Sequence, residues 1–441
     1  MKKLFFIVFL TFIFLLISGI FYLSVIGVET KKFNNLIVKE IKKKNSNIDL
    51  QLEKIKIKLD LKKIQLFLST NNPKIKYYNL KIPITEIKIY SELSGILTSK
   101  ISVSQIVFEI KKFKTKDLQK AIIRTKPSNF KTFLLNNLYG GEIKKALFDL
   151  NLDEDFKITE YKASGRIKKV NTNIKKNLKI ENISFNFIVD NNLTLINSIT
   201  ANYNDLEVSN GSIDLQIGKA TIIKGKFKTQ FNLKENQIKK LFKKIKFFEE
   251  NKVETKGALL HKFNLELNNN FKIINYDYQS SGKIIQSKIV LKDAFKSSLI
   301  ARSVKKILFK EIQLEINLNK INKNSLIIDG LYSTDELIYK KFKIKNNLDK
   351  KNKKFFVNFN ISEKLFFNII NFQTDSEKIS NIKSEFSIKN NKFIFKLIDF
   401  TEGKNSISIK KLILNNRNEI EGIDSVSVLT FDKRKKNNNF K

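Results

Sequence analysis

The chain has no cysteine and no tryptophan, and only one methionine, one histidine and three prolines among 441 residues. Without cysteine there is no disulfide, no thiol chemistry and no Cys-based zinc site. The lone histidine, His261, has no second histidine or cysteine to complete a metal site or a triad. Arginine is scarce too, at five of the 83 basic residues. The formal charge of +40 is therefore a lysine charge. Lysine lacks the planar fork that reads phosphates and bases bidentately, so no nucleic-acid partner is expected. The lysine travels with abundant Asn, Ile and Phe, all with AT-rich codons, which points to genome composition as its source. Lysines set singly between apolar residues are the solvated face of strands. Beside a membrane, the same charge suits anionic lipid headgroups.

What the chain does have is a charge-free run from Leu4 to Val28 behind Lys2 and Lys3. Twenty-five such residues are enough to cross a bilayer core of roughly 30 Å as a helix. A cleaved signal carries a shorter apolar stretch and a small-x-small site; Ser24 and Gly27 do not have that spacing. We therefore read residues 1–30 as a single-pass signal-anchor with a cytoplasmic N-terminus, although Lys31 and Lys32 weaken the charge contrast. Residues 31–44 place Phe33, Leu36, Ile37 and Ile41 on one helical face. That helix either continues the anchor, lies on the bilayer, or packs under the first sheet.

Beyond it the hydrophobic period becomes two. Ile55, Ile57, Leu59 and Leu61 alternate with charged residues, and Ile64, Leu66 and Leu68 follow a phase slip at Lys62-Lys63. Phe185, Phe187 and Val189 lead to a turn at Asp190-Asn191-Asn192; Ile213, Leu215 and Ile217 follow Asn210-Gly211, a strong hairpin signal. Phe263, Leu265 and Leu267 precede Asn268-Asn269-Asn270; Ile312, Leu314 and Ile316 precede a turn expected at Asp329-Gly330. Phe355, Val357 and Phe359 come next, then Phe393 and Phe395 after Asn390-Asn391. About twenty antiparallel strands are expected from this spacing. Helices are expected over 116–123 (capped by Thr115), 128–139 (capped by Ser128), 235–249, and 362–372 (capped by Ser362). The domain reading is 1–30 anchor, 31–140 N-terminal segment with short helices, 141–432 repetitive strands, and 433–441 a basic tail expected to be disordered.

An antiparallel sheet with one apolar face must cover that face. Two solutions remain open. β-sandwich domains pack two such faces together, and the residues alone favour this one. The other is a single long, strongly twisted sheet whose apolar trough is filled by lipid chains.

Asn72-Pro73, Ile82-Pro83-Ile84, the segment from Ile87 through Tyr90, Leu93 and Gly95 to Leu97, and the strand Ile101-x-Val103-x-x-Ile106-x-Phe108 resemble the N-terminal part of the AsmA-like family. The anchor, the short helix and the succession of strands are similar to its YhdP and TamB relatives. The likeness covers about the first 110 residues by motif and the rest only by architecture. It implies a mostly β protein of a Gram-negative envelope, anchored in the inner membrane. A periplasmic antiparallel β-groove would then carry phospholipids towards the outer membrane, with a periplasmic or outer-membrane protein as possible partner. At about 4.8 Å per strand, twenty strands give a groove of order 100 Å, shorter than the largest members of the family.

The expected lipid-facing positions are Ile55, Ile57, Leu59, Leu61, Phe185, Phe187, Val189, Ile213, Leu215, Ile217, Phe263, Leu265, Leu267, Ile312, Leu314, Ile316, Phe355, Val357, Phe359, Phe393 and Phe395. No catalytic residue, metal or cofactor is indicated. Asp149, Asp153, Glu154 and Asp155 lack the ligand spacing of a calcium loop and read as a solvated turn. Gly140-Gly141 lacks the Lys-Ser/Thr of a phosphate loop and reads as a helix stop. The alternative function is a membrane-anchored β-sandwich scaffold that binds another envelope protein.

Overall fold

The computed structural model describes residues 2–44, 46–78, 80–91, 103–124, 129–153, 155, 157–175, 178–204, 206–218, 220–270, 272–321, 324–349, 352–375, 378–431 and 437–440. Residues 92–102 of the resembling stretch, the cap expected at Ser128, and Glu154 of the expected turn fall outside them.

The chain opens with helix α1 (Lys2–Val25). It is apolar all round, with a mean hydropathy of 2.9 over Lys3–Val25, and is not buried in the protein. A helix without a polar face has no aqueous side, and this one is long and apolar enough to cross a membrane. At its end the Ile26 and Gly27 amides both donate to the Tyr22 carbonyl at 2.9 Å. Gly27 takes a φ of +77°, and a Cβ there would meet the Ile57 carbonyl oxygen at 2.8 Å. Only glycine fits this junction without strain. Lys58 Nζ then donates to the exposed Val25 carbonyl at 2.9 Å, tying the helix end to the sheet.

The chain divides into two units, 1–202 with 212–218, and 203–211 with 219–441. The first contains β1 (Val28–Thr30), α2 (Asn34–Lys44), β2 (Ile48–Gln51), β3 (Ile55–Asp60), β4 (Gln65–Asn71), β5 (Lys74–Tyr77), β6 (Leu80–Ile82) and β7 (Ile84–Ser91). It continues with β8 (Val103–Lys114), α3 (Thr115–Ile122), α4 (Asn129–Asn137), β9 (Leu138–Tyr139), β10 (Glu142–Leu152), β11 (Ile158–Lys175), β12 (Leu178–Asp190) and β13 (Leu193–Tyr203). The antiparallel order is β1-β3-β4-β7-β8-β10-β11-β12-β13, with β9 on β11 and a separate β2-β5-β6 sheet. The β8–β10 ladder runs across residue 140, where the sequence reading placed a boundary. Strand β14 (Leu206–Ile217) has its residues shared between the two units.

The second unit contains β15 (Thr221–Leu233), α5 (Glu235–Leu241), α6 (Lys246–Glu250), β16 (Lys252–Leu267), β17 (Ile273–Phe295), β18 (Val304–Asn319), β19 (Ser325–Ser333), β20 (Lys340–Asn346) and β21 (Lys353–Ile361). After these come β22 (Phe366–Phe367), β23 (Phe372–Gln373), β24 (Ser380–Lys389), β25 (Lys392–Glu402), β26 (Asn405–Leu414), β27 (Ile420–Gly422), β28 (Ser425–Phe431) and β29 (Asn437–Phe440). Its main strands form one antiparallel meander, β15 through β21 and then β24-β25-β26-β28-β29, in chain order.

Turn chemistry explains several joints. Asp190 Oδ1 accepts from the Asn192 and Leu193 amides at 3.0 and 2.8 Å, closing the β12–β13 hairpin. Asn390 and Asn391 both have positive φ, as a two-residue type I′ turn requires. Asn210-Gly211 does not turn. Asn210 is left-handed, yet β14 runs through both residues from Leu206 to Ile217. Asp329-Gly330 likewise lies inside β19. Glycine is needed there because a Cβ would meet Ile312 Cα at 2.9 Å.

Other expectations are also corrected. Leu61 is in the turn after β3 and is exposed. The helix expected over 235–249 is two helices, broken at 242–245. Residues 362–372 form the β22–β23 hairpin around a 3-10 turn at 368–370, with Asn371 left-handed, rather than an α-helix. Thr115 Oγ1 donates to the Gly140 and Gly141 carbonyls instead of capping α3. Residues 437–440 pair with β28, where a disordered tail was expected.

Candidate functional site

Residues directly opposite each other in an antiparallel ladder project to the same face. In the second unit, this rule joins the sequence-expected positions into registered rows. Leu259 opposes Thr229 and Gly282, and Gly282 opposes Leu314. Leu314 opposes Ile328, Ile328 opposes Ile344, and Ile344 opposes Val357. From Val357 the row continues through Ser384, Ile398 and Ile409 to Val426. On one side of it runs Ile312, Ile284 and Gly257; on the other run Ile316 with Ser280 and His261, then Phe263 with Tyr278. Phe359 and Phe355 flank Val357 on β21, while Phe393 and Phe395 oppose Ile388 and Phe386. The sequence reading thus placed eleven positions of this unit on one face, from Phe263 to Phe395, with Leu265 opposite Tyr276 and Leu267 opposite Ile273.

Bulges keep the face in phase. Lys112, Lys169, Glu311 and Lys411 each have positive φ. The ladders shift register across Ile167/Val170 and Lys310/Gln313. One inserted residue flips the alternation, so Ile167 and Val170 share a face although three residues apart.

Cover over this face is local. Leu365 and Phe367 of the β22–β23 hairpin, with Ile300, pack on Phe400, Ile407 and Val428. Helix α5 buries Ile238 against Leu233 and Val253. Between these patches Leu259, Leu314, Ile328, Ile344, Val357, Ile398 and Ile409 are all only half-buried. A face packed against a second sheet would enclose such residues. An open cavity of about 600 Å³ lies mainly on the opposite face, against Ile327, Lys345, Phe356, Glu385 and Ile394.

In the first unit, the corresponding rows are Ile57-Leu68-Ile89-Ile106-Leu150 and Ile110-Ala146-Gly165-Phe187-Ile196. Here cover is denser. Phe33 just before α2, Ile37 of α2 and Leu50 of β2 join Ile55 and Leu68 in one buried cluster. Ile55 is 1 % exposed and belongs to that core, so it does not line an accessible surface as the sequence reading expected. Ile57, Leu59, Phe185, Phe187 and Val189 are half-buried. In β14, Ile213 and Leu215 are half-buried and Ile217 is exposed.

Sequence reasoning missed Ile328, Phe342 and Ile344, whose alternation was hidden by the turn expected at Asp329-Gly330. It also missed the polar chemistry on the face. His261 is buried with both ring nitrogens engaged, Nε2 with Thr229 Oγ1 and Nδ1 with the Tyr278 hydroxyl, each at 2.8 Å. Burial pushes its pKa down, and Phe227 stacks on the ring at 4.6 Å. Lys340 is 1 % exposed and donates to Glu363 at 2.9 Å; Arg302 approaches Glu363 and Asp335 at 3.5 and 3.4 Å. Burial opposes ionisation of Glu363, but hydrogen bonds from Thr334 and Lys340 hold its carboxyl below the ordinary value. Asp153 Oδ1 accepts from the Lys157 amide at 2.8 Å, as part of the turn between β10 and β11. Among the described residues, no group of three or more acidic or histidine side chains is arranged to hold a metal ion.

Comparison with protein-family models, curated proteins and solved structures finds no match to this chain.

Proposed function

We propose that this chain is a membrane-anchored protein that binds phospholipids on its apolar sheet face and conducts them between the inner and outer membranes of a Gram-negative envelope. Its body lies on the periplasmic side, with the face curled into a groove. The reading is carried by the half-buried apolar residues Leu259, Leu314, Ile328, Ile344, Val357, Ile398 and Ile409, which share one face; among the described residues of the unit, the small β22–β23 sheet covers only the end of that face at Phe400, Ile407 and Val428. Each acyl CH₂ laid on such a path gains about 0.8 kcal/mol. Because the rows repeat from strand to strand, that gain is spread along the face and no single site traps the lipid. Lysines alternate onto the other face, with Lys341, Lys343 and Lys345 flanking Phe342 and Ile344 in β20, and keep that side in water.

The second reading is a scaffold on which the same half-buried face receives an envelope protein instead of lipid. Native mass spectrometry of residues 30–441, purified without detergent, separates the two. Several phospholipids per chain are expected. A folded, lipid-free monomer sinks the transport reading and leaves the protein partner.

A further inference from the structure

Helix α2 resolves what the basic stretch after the apolar helix does. Its apolar side is spent inside the protein: Ile37 and, just before the helix, Phe33 are buried, and Val38 and Ile41 pack on the same cluster. It therefore has no hydrophobic face left to insert in a bilayer, as an interfacial helix needs. What it leaves in solvent is Lys39, Lys42 and Lys43, with Lys31 and Lys32 exposed just before it. Neighbouring carboxylates are already engaged. Glu29 pairs with Lys54 and Lys56 at 3.1 and 3.4 Å, Glu53 with Lys74 at 3.7 Å, and Asp49 with Lys76 at 4.0 Å. Among the described residues, none of the five exposed lysines has a carboxylate within ion-pair distance, and Glu40 is the sole acid on α2.

Position adds to charge. Lys31 follows the last residue of α1 by six positions, a chain reach of at most about 20 Å. The intervening segment is fixed: β1 pairs with β3, Gly27 turns against Ile57, and Lys58 holds the Val25 carbonyl. We propose that Lys31, Lys32, Lys39, Lys42 and Lys43 form a docking surface for anionic phospholipid headgroups of the membrane that α1 enters. The proposal rests on α1 spanning that membrane. Docking holds α2 and the first strands at the headgroups through charge alone, leaving the hydrophobic cluster beneath α2 closed.

The absence of cysteine makes the test direct. An Asn35→Cys variant of the full chain, labelled with a fluorescent donor, is placed in nanodiscs carrying a headgroup-labelled acceptor lipid. Energy transfer should be stronger in phosphatidylcholine mixed with phosphatidylglycerol than in phosphatidylcholine alone, and the gain should vanish in high salt. Each lysine at an anionic surface contributes about a fivefold shift towards the docked state. The combined K31Q, K32Q, K39Q, K42Q and K43Q variant should therefore lose the gain, while five Lys→Gln changes at Lys224, Lys226, Lys228, Lys256 and Lys262 should retain it. Equal transfer in both lipid mixtures, or equal loss in both variants, overturns the proposal. Release of the full chain from membranes by alkaline carbonate would overturn the span itself, and the docking with it.

Discussion

The ring of Phe187 lies over its cross-strand partner Gly165. A Cβ built on Gly165 would come within 2.8 Å of Phe187 Cζ and 2.6 Å of the Lys145 carbonyl oxygen. Phe231 over Gly257 repeats the relationship in the second unit. A strand glycine leaves backbone uncovered, and the opposing ring supplies the missing contact.

Overpacking should follow from filling that space. Gly165→Ala is expected to cost about 1–3 kcal/mol. Gly422→Ala, where the nearest atom is Ile413 Cδ1 at 4.0 Å, should be close to neutral. Urea midpoints of the two variants give the comparison, and equal shifts would show that the ring-over-glycine contact is not what sets the local packing.

The open row and the covered patches should respond differently to a charge. Leu314 is half-buried, whereas Val428 is 1 % exposed beneath the β22–β23 hairpin's cluster. Val428→Asp places an unpaired charge in a closed core and should unfold that part of the sheet. Leu314→Asp should keep the circular-dichroism spectrum and most of the stability while lowering the number of bound phospholipids seen by native mass spectrometry. If both variants unfold alike, Leu314 is core and the lipid path is lost.

The strands were legible because period-two alternation survives almost everywhere from Ile55 to Val428. The turns at Asp190-Asn191-Asn192 and Asn390-Asn391 were legible because their side chains and φ preferences are local. What was not legible depends on distant partners. Asn210-Gly211 and Asp329-Gly330 carry turn residues, yet their strands run straight through them. At Gly330 the glycine serves the close approach of Ile312 from the neighbouring strand. Ile55 and Leu314 look alike in sequence; only the packing of α2 and β2 makes the first a core residue and leaves the second half-buried. Bulges at Lys169 and Glu311 could not be read, because a left-handed Lys or Glu has no composition signal.

Acid should weaken the fold through His261. Burial lowers its pKa from the ordinary value of 6.5, so the unfolded chain takes up a proton at a higher pH than the folded one. Between those two values the unfolded state binds more protons, and stability falls as pH drops below about 6.5. Urea midpoints should therefore decline as pH falls from neutrality through 6.5. His261→Gln, which keeps hydrogen-bonding groups near Thr229 and Tyr278 but does not titrate, should flatten that decline. An unchanged slope in the variant would assign the effect to other groups.

Lys340 and Glu363 provide the sharpest energetic test, because one ammonium is enclosed with one principal counter-charge. The Lys340 side chain is 1 % exposed and that of Glu363 12 %. Glu363→Gln leaves the ammonium enclosed with its nearest negative charge gone, which should cost about 3–5 kcal/mol. Adding Lys340→Met removes the stranded charge, and an apolar replacement of a buried pair is often near neutral, so the double variant should recover much of the loss. The carboxyls of Glu363 and Asp335 are both held below their ordinary values of 4.5 and 3.8. Their contribution is thus present above those values and lost as pH falls through the lower folded ones. Thermal unfolding of the parent chain should weaken below about pH 4.5, and the double variant should show a shallower dependence there. Additive losses in the two single variants, with no recovery in the double, would mean that Lys340 and Glu363 act separately and that the pair does not fasten the β22–β23 hairpin to the rest of its unit.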